Sequence, residues 1–381
     1  MNPMVALSEA LADAEVFTDG DWVESKDQDP NGNVRLVQLA DVGDGTWVNR
    51  SERFLTSAKA KELRCTFLKE GDVLIARMPD PLGRSCVFPG DQTPCVTVVD
   101  VCVIRPNPTA VDNRYLMHAI NAPVGRRAIA RHVTGTTRSR ISRRNLGKVE
   151  IPLPPLSEQK RIAAILDAAD ELRAKRRKSI DELDTLLQAT FLDMFGDPVV
   201  NPKRWDVRPL GELAKNEDGL RIPVKSSDRA NMSGEYPYYG ASGVIDSVDD
   251  FLFEGHRLLV AEDGANLISR SSPIAFIATG RYWVNNHAHV LGDNGQADLT
   301  YLREFFSLAD LQPYITGSAQ PKLNQKNLNR IQVPTPPREK QEAFKAFSDS
   351  IAARRQQMIC HLSLLDSLFD SLQSRAFKGE L

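Results

Sequence analysis

The chain is written twice. Thr134-Gly135, Asn145-Leu146, Val149, Ile151-Pro152, Pro154-Pro155 and Gln159 return 182 positions later as Thr316-Gly317, Asn327-Leu328, Ile331, Val333-Pro334, Pro336-Pro337 and Gln341. A repeat of this kind decides the architecture before any single element is read, because each copy must fold as one unit. At the same shift Ile162, Ile165, Ala169, Ile180, Leu183 and Leu187 fall on Phe344, Phe347, Ile351, Leu362, Leu365 and Phe369. Weaker echoes lie upstream: Gly71–Ala76 resembles Gly255–Val260, and Trp22 resembles Trp205, each within a residue or two of that shift or close to it. The order is therefore body, helix, body, helix.

The apolar positions after each proline pair step by three and four, the spacing of a helix seam. Ile162, Leu166, Ala169, Ile180, Leu183 and Leu187 form one stripe, and Phe344, Phe347, Ile351, Met358, Leu362, Leu365 and Phe369 the other. Proline precedes a helix readily and cannot sit inside one. The first helix is thus expected from about Ser157, as N-cap with Glu158 in the first turn, to Phe195, where Gly196-Asp197-Pro198 stops it. It is about 58 Å long at about 1.5 Å per residue. The second is expected from about Arg338 to Phe377, ending before Gly379. Helices this long need something to cover the seam, and the other copy is at hand. Copies related by a pseudo-twofold axis would pair their helices antiparallel and place the two bodies at opposite ends. Packing of each helix on its own body is the competing arrangement. The bodies read as mixed helix and strand, with short β-branched runs at Gly71–Ala76, Val96–Ile104 and Ile274–Ala278, and helices at Asn113–Asn121 and Leu299–Leu308.

The 41% hydrophobic and 26% charged content is that of a folded water-soluble chain. No run of about 18 apolar residues is present, and Glu9, Asp13, Glu15 and Asp19 crowd the first twenty positions, so the expectation is no membrane span, no signal peptide and a cytoplasmic location. Five cysteines without a Cys-x-x-Cys pair read as reduced thiols. Net charge is only −2, yet Asn113–Val149 holds no Asp or Glu and nine cations, a composition suited to phosphate.

Within that stretch Arg138, Arg140, Arg143, Arg144 and Lys148 are candidate DNA contacts, with Lys322, Lys326 and Arg330 as their counterparts in the second copy. Asn285 and Asn286 could pair bidentately with adenine, or serve as turn residues. His287 and His289 stand two apart, on one face if in a strand. Metal binding, hydrogen-bonded core and DNA contact compete there; no third ligand is near in sequence and no metal is assigned. Tyr238 and Tyr239 precede a small-residue stretch and are either core or base-contacting. Arg77, Arg84 and Arg270 lie beside strand ends, within reach of guanine or simply solvated. A second basic cluster, Arg173–Lys178, interrupts the first seam; contact with phosphates competes there with a solvated or partner-facing role, which is slightly favoured, and Arg354-Arg355 is its weaker counterpart in the second helix. No Asn/Asp-Pro-Pro-aromatic loop, glycine-rich nucleotide turn or Walker lysine is found, which weighs against an enzyme.

Ile151-Pro-Leu-Pro-Pro-Leu-Ser-Glu-Gln-Lys-Arg-Ile-Ala-Ala-Ile-Leu-Asp-Ala-Ala-Asp170, Asp193-Met-Phe-Gly-Asp-Pro198 and the C-terminal Leu368–Leu381 resemble the specificity subunit of type I restriction-modification systems. So do Tyr236–Gly243 and Trp283–Val290, which are similar to one class of target-recognition domain. The resemblance implies an α+β chain with two mixed α/β target-recognition domains, 1–152 and 199–336, joined by two long antiparallel helices, 153–198 and 337–381, in a pseudo-twofold duplication. It further implies a non-catalytic subunit that reads a bipartite, asymmetric sequence in double-stranded DNA. Such a subunit docks two modification subunits, which hold S-adenosylmethionine and methylate adenine, and restriction/translocase subunits. It needs no cofactor of its own. A type I system and a related phage-defence assembly both fit. A nucleic-acid enzyme of unfamiliar type and a purely structural coiled-coil adaptor remain as other classes.

Overall fold

In a computed structural model the described residues are 3–135, 139–317 and 320–381. They fall into two compact units, Met1–Arg177 with His361–Leu381, and Lys178–Cys360. Each unit therefore holds one body together with a stretch of both long helices.

The first unit runs β1 (Met4–Ala6), α1 (Leu7–Ala10), β2 (Val16–Asp19), β3 (Val34–Val37), β4 (Phe54–Leu55), α2 (Ser57–Glu62), β5 (Val73–Ala76), β6 (Ser85–Val87), β7 (Cys95–Thr97), β8 (Val101–Arg105), α3 (Asn113–Asn121), α4 (Pro123–Ala130), α5 (Arg143–Leu146), β9 (Glu150–Pro152) and the start of α6 (Leu156–Phe195). The second body continues with β10 (Val207–Pro209), α7 (Leu210–Leu213), β11 (Ala214–Asn216), α8 (Ser226–Arg229), β12 (Ser233–Gly240), β13 (Gly243–Val248), β14 (Phe253–Glu254), β15 (Arg257–Ala261), α9 (Asn266–Ser269), β16 (Ala275–Ala278), β17 (Arg281–Val284), β18 (Ala288–Asp293), α10 (Leu299–Leu308), α11 (Gln325–Asn329) and β19 (Gln332–Pro334), and leads into α12 (Arg338–Lys378).

The two bodies share one topology. An antiparallel sheet β2-β8-β5-β6 in the first corresponds to β11-β18-β15-β16 in the second. A second sheet, β4-β3-β7, corresponds to β13-β12-β17-β14, with a parallel pair (β3 with β7, β12 with β17) in each. A third, two-stranded element closes each body, β1 with β9 and β10 with β19. The central strands are apolar on both faces, as burial on both sides requires. Val73 and Ile75 of β5 pack toward helices, Leu74 and Ala76 toward the second sheet. Leu258 and Val260 repeat the first set in β15, and Leu259 the second.

The repeated motif after the second sheet proves to be a hydrogen-bonding kit. Asp112 caps α3 and Asp298 caps α10 through their carboxylates. Tyr115 Oη donates to the Pro152 carbonyl at 2.6 Å, and Tyr301 Oη to that of Pro334 at 2.5 Å. Gln159 accepts from Asp112 N–H at 2.9 Å and donates to the carbonyls of Pro154 and Ala110; Gln341 accepts from Asp298 N–H at 2.8 Å and donates to Pro336. Because Gln159 is 1% exposed, water cannot take over these bonds when the amide is removed. Gln159→Ala is expected to destabilise the first unit by about 2–3 kcal/mol, read as a shift of its denaturant midpoint at unchanged slope. Wild-type stability in that variant would show the amide to be dispensable.

In the first unit Ile162, Ala163, Leu166 and Ala169 of α6 share a core with Phe369, Ala376 and Phe377 of α12. Arg161 reaches the Leu381 carbonyl and Arg173 reaches Asp366, so the two stretches run antiparallel. In the second unit Phe191 and Phe195 meet Phe344, each with ring centroids 5.5 Å apart, and Asp184 meets Arg355. Ile180 and Ile351 are buried, while Leu183, Leu187, Phe347, Met358, Leu362 and Leu365 are half-buried. The end turns of the helices also pack on the bodies: Ile162 and Leu166 lie in one core with Tyr115, Leu116 and Ile151. The seam and the competing arrangement are both present, each over part of the length.

Three expectations change. α6 begins at Leu156, so Ser157 is inside the helix rather than its cap. Val96–Ile104 is two strands, β7 and β8, with a turn between them. Trp22 and Trp205 are not equivalent: Trp205 precedes β10, the counterpart of β1, whereas Trp22 follows β2. Gly196, at φ +81°, ends α6 as anticipated.

Candidate nucleic-acid interface

In the first unit one rim of the body gathers the exits of β2 and β5, the β7–β8 turn and the basic segment. Gly20 is needed there, since a Cβ would lie 2.2 Å from the Val98 carbonyl oxygen; its N–H bonds the Val101 carbonyl. Ile141 N–H donates to the Arg77 carbonyl and Arg140 pairs with Asp100 at 3.3 Å, which fixes the end of the basic segment to the rim. Ser142 then caps α5, and Arg143, Arg144 and Lys148 stand exposed around a hollow of about 590 Å³ bordered by Ser8, Phe17 and Asp19. Arg143 also donates to the Phe17 carbonyl at 3.2 Å. Arg138 lies outside the described residues.

Trp22 occupies the same rim, 68% exposed, with its indole N–H on Glu24. It flanks a second hollow of about 480 Å³ lined by Gln38, Val99 and Asp100. Sequence reading missed it as a candidate; the signal was a tryptophan three residues past the end of β2, between Asp21 and Val23, where no apolar periodicity calls for one.

The second body presents the equivalent rim. Beside Lys322, Leu323 N–H donates to the Glu262 carbonyl and Gly264 N–H to the Pro321 carbonyl. Lys322, Lys326 and Arg330 are exposed, with Lys322 Nζ 3.1 Å from Glu262. The β17–β18 turn offers exposed Asn286 and His287, whose Nδ1 sits 2.9 Å from Asp263.

Other candidates face inward. Arg77 is 4% exposed and donates to the carbonyls of Ile141 and Val99. Arg84 donates to those of Val42, Leu39 and Pro81, and burial lowers its proton affinity. Arg270 holds the carbonyls of Phe306, Ser307 and Ala309 at the C-terminal end of α10, where a cation favours the helix dipole; burial lowers its proton affinity too. Tyr238 is fully buried, stacked on Trp283 with Arg229 over its ring. Tyr239 packs edge-on against Tyr282, and burial pushes its hydroxyl up. Asn285 is buried and accepts from His287 N–H, a turn role. These six side chains are structural, because every one spends its polar groups or its ring on the body itself.

His287 and His289 do not share a face: His287 is in the turn and His289 is fully buried in β18. The fold brings Asp218 and Glu262 to within 4.8 Å of His289, two carboxylates that are remote in sequence. Both are already engaged. Asp218 meets His289 Nδ1 at 2.6 Å and Val290 N–H at 2.8 Å; burial pushes its carboxyl up, but the histidine and that N–H outweigh it and hold it below the usual range. Glu262 is likewise raised by burial and brought lower overall by Arg221, at 2.8 Å, with His289 and Lys322. The three side chains, with Arg221 and Lys322, form one hydrogen-bonded network.

In the helical cluster, Arg173 bonds Asp366 and Asp170 and lies 4.3 Å over Phe369, Arg177 also meets Asp366, and Lys175 meets Glu171. Those partners favour the reading in which this cluster serves the helices and their surroundings over phosphate contact. Among the described residues, no helix is long and apolar enough to cross a membrane.

Comparison with known proteins gives the family. A putative type I restriction enzyme specificity subunit of Haemophilus influenzae is 34% identical over 146 residues, 38% of this chain and 37% of that relative. The chain thus spans well under two thirds of that relative's length. The putative MjaX specificity subunit of Methanocaldococcus jannaschii is 24% identical over 316 residues, 75% of this chain and 74% of the relative. Two solved structures share the fold. A chain from a study of type I R-M complex assembly has TM-score 0.59 at 18% identity, with full coverage of both chains. The S subunit of M. genitalium has 0.57 at 17%, covering 98% of this chain and 96% of that one. Specificity subunits are the DNA-recognition components of such systems and not the catalytic ones. The model of the type I restriction modification DNA specificity domain matches residues 14–184 and again 202–356, one match for each copy of the repeat, so the chain belongs to that family.

Proposed function

We propose that this chain reads a bipartite, asymmetric sequence in double-stranded DNA, one half with each body, and presents that DNA to two modification subunits that methylate adenine using S-adenosylmethionine. The observation that carries the reading is the repetition of one topology with unlike rims. Both bodies place a cation-bearing loop at the same edge of the same sheet, yet the neighbouring turn is Val98–Asp100 in one and Asn285–His287 in the other. Phosphate contacts from Arg140, Arg143, Arg144, Lys148, Lys322 and Lys326 supply affinity without sequence information, and Arg138 belongs to this set by sequence. Asn286, His287 and Trp22 are the exposed groups suited to base edges.

The helices set the distance between half-sites, as dimer geometry does in other DNA-binding proteins. Leu172, Leu186, Leu364 and Leu368 are 47–63% exposed along them, apolar surface that suits the modification subunits; restriction/translocase subunits join through those. Mapping methylated adenines in the source genome with and without this gene tests the reading. The expected result is one two-part, non-palindromic sequence whose methylation vanishes with the gene. Methylation that survives intact, or a palindromic sequence, overturns it.

A further inference from the structure

Superposing the two bodies by strand register pairs Asp19 with Asp218, Arg77 with Glu262, Cys102 with His289 and Ile141 with Leu323. Asp19 lies opposite Cys102 in the β2–β8 ladder, and Cys102 opposite Ile75 of β5. In the second body His289 lies opposite Val260 of β15, and Glu217 N–H bonds the Val290 carbonyl, which brings Asp218 beside His289. Ile141 N–H on the Arg77 carbonyl and Leu323 N–H on the Glu262 carbonyl complete the correspondence.

At these positions the two copies hold different side chains that make one arrangement. In the first, the Arg77 guanidinium lies 2.6 Å from Asp19 Oδ1 and its Nε–H donates to the Ile141 carbonyl at 2.9 Å. In the second, His289 Nδ1 lies 2.6 Å from Asp218 and its Nε2 lies 2.6 Å from the Leu323 carbonyl. Where the nitrogen donor comes from the end of β5, its β8 neighbour is the small apolar Cys102. Where it comes from β18, the β15 position is Glu262, which pairs with Lys322. Lys322 is the counterpart of Arg140, since the bridges Thr134–Arg140 and Thr316–Lys322 match. Two residues have exchanged roles together while the aspartate, the nitrogen donor and the loop carbonyl persist. A core that only needed filling would not keep that triad.

We infer that Arg77 and His289 are positioning residues: each is a buried side chain whose nitrogens tie an aspartate of the sheet to the main-chain carbonyl closing the basic segment, and so fixes where that segment meets the DNA backbone. A carbonyl held by a buried side-chain donor that is itself fixed by an aspartate cannot drift, and an unheld loop would lose its phosphate register. The inference rests on the DNA-reading assignment above and adds the residues that aim the loops.

The test uses the full chain assembled with its modification subunits. Its probe is an end-labelled duplex carrying the methylated sequence, with a scrambled duplex of equal length as control. Arg77→Ala is expected to weaken binding by at least tenfold. It should also lower the slope of log affinity against log salt by about one to two, the loss of one or two phosphate contacts. Discrimination against mismatches should fall in the half-sequence read by the first body and stay unchanged in the other. Arg77→Glu is expected to be as poor. Arg77→Glu with Cys102→His, which installs the second body's pair beside Arg140, should return binding to within about threefold of wild type, a recovery that simple loss of packing does not produce. If Arg77→Ala abolishes the thermal transition of the first unit, Arg77→Lys serves in its place: it keeps the charge toward Asp19 and offers Ile141 no fixed donor. A wild-type complex that binds the duplex, with Arg77→Ala unchanged in salt slope and mismatch discrimination, removes the positioning role alone. So does a folded double variant as poor as Arg77→Glu. A wild-type complex indifferent to the duplex overturns the DNA-reading assignment and the positioning role with it.

Discussion

Replacing residues 200–335 with the matching stretch of another family member is expected to change one half of the methylated sequence and to leave the other half and its distance intact. Methylation at the original sequence should fall to background. The ends of that stretch make the exchange feasible. β10 and β19 pair residue by residue from Val207–Pro334 to Pro209–Gln332, and Thr335 N–H bonds the Asp206 carbonyl, so the incoming body closes on itself. Its contacts with the helices are identifiable: Tyr301 stacks on Phe191 at 5.5 Å and meets Phe195 edge-on at 5.0 Å in a core shared with Phe344, Arg303 donates to Ser348, and Asp298 N–H is taken by Gln341. A donor that keeps an aromatic and a capping acid there should fold on this chain, whereas a donor with alanine in place of Tyr301 would lose about 3–5 kcal/mol in that core. The readout is adenine methylation mapped in a strain carrying the chimera. A change in both half-sequences would show that the bodies do not read independently and would sink the modular assignment.

The duplication was legible because its second half is constrained by chemistry that sequence records. Gln159, Tyr115, the proline pair and Asn145 each satisfy buried main-chain groups, and their counterparts do the same 182 or 186 positions on. The first half was not legible at that shift. Equivalent residues there are 199 apart at Asp19 and Asp218, 185 at Arg77 and Glu262, and 187 at Cys102 and His289, because loops of different length separate the strands. A search at one offset therefore sees an echo at Gly71 and a false match at Trp22.

The site was legible by charge and illegible by direction. An acid-free stretch announces affinity for phosphate, and Arg143, Arg144 and Lys148 are exposed as that composition requires. Composition does not say which way an arginine points. Arg77, Arg84 and Arg270 sit at strand and helix ends, where carbonyls left without ladder partners attract a guanidinium as readily as a base edge does. Nor can sequence separation reveal that Asp218, Glu262 and His289 converge, since register alone joins them.

Removing one helical turn from both long helices is expected to shorten the unread spacer and to spare both half-sequences. The matched pair of deletions is Ser179–Glu182 from α6 and Gln357–Cys360 from α12. The choice follows from the antiparallel register: Arg173 meets Asp366 in the first unit and Asp184 meets Arg355 in the second, so the residue numbers of facing positions have nearly the same sum in each. Four residues are about 6 Å of rise and leave the helix faces within about 40° of their original direction. At about 3.4 Å per base pair this is roughly two base pairs of spacer. Deleting Ser179–Glu182 alone breaks the register, because the Arg173–Asp366 and Asp184–Arg355 pairs cannot both survive a shift of one turn in a single helix. That variant should methylate poorly at any spacing. The matched deletion, by contrast, keeps both pairs and most of the seam, and loses only Ile180 from the buried positions. Methylome mapping reads the outcome directly. If the matched variant still methylates the original sequence at the original spacing, the distance between half-sites is set by something other than the length of these helices.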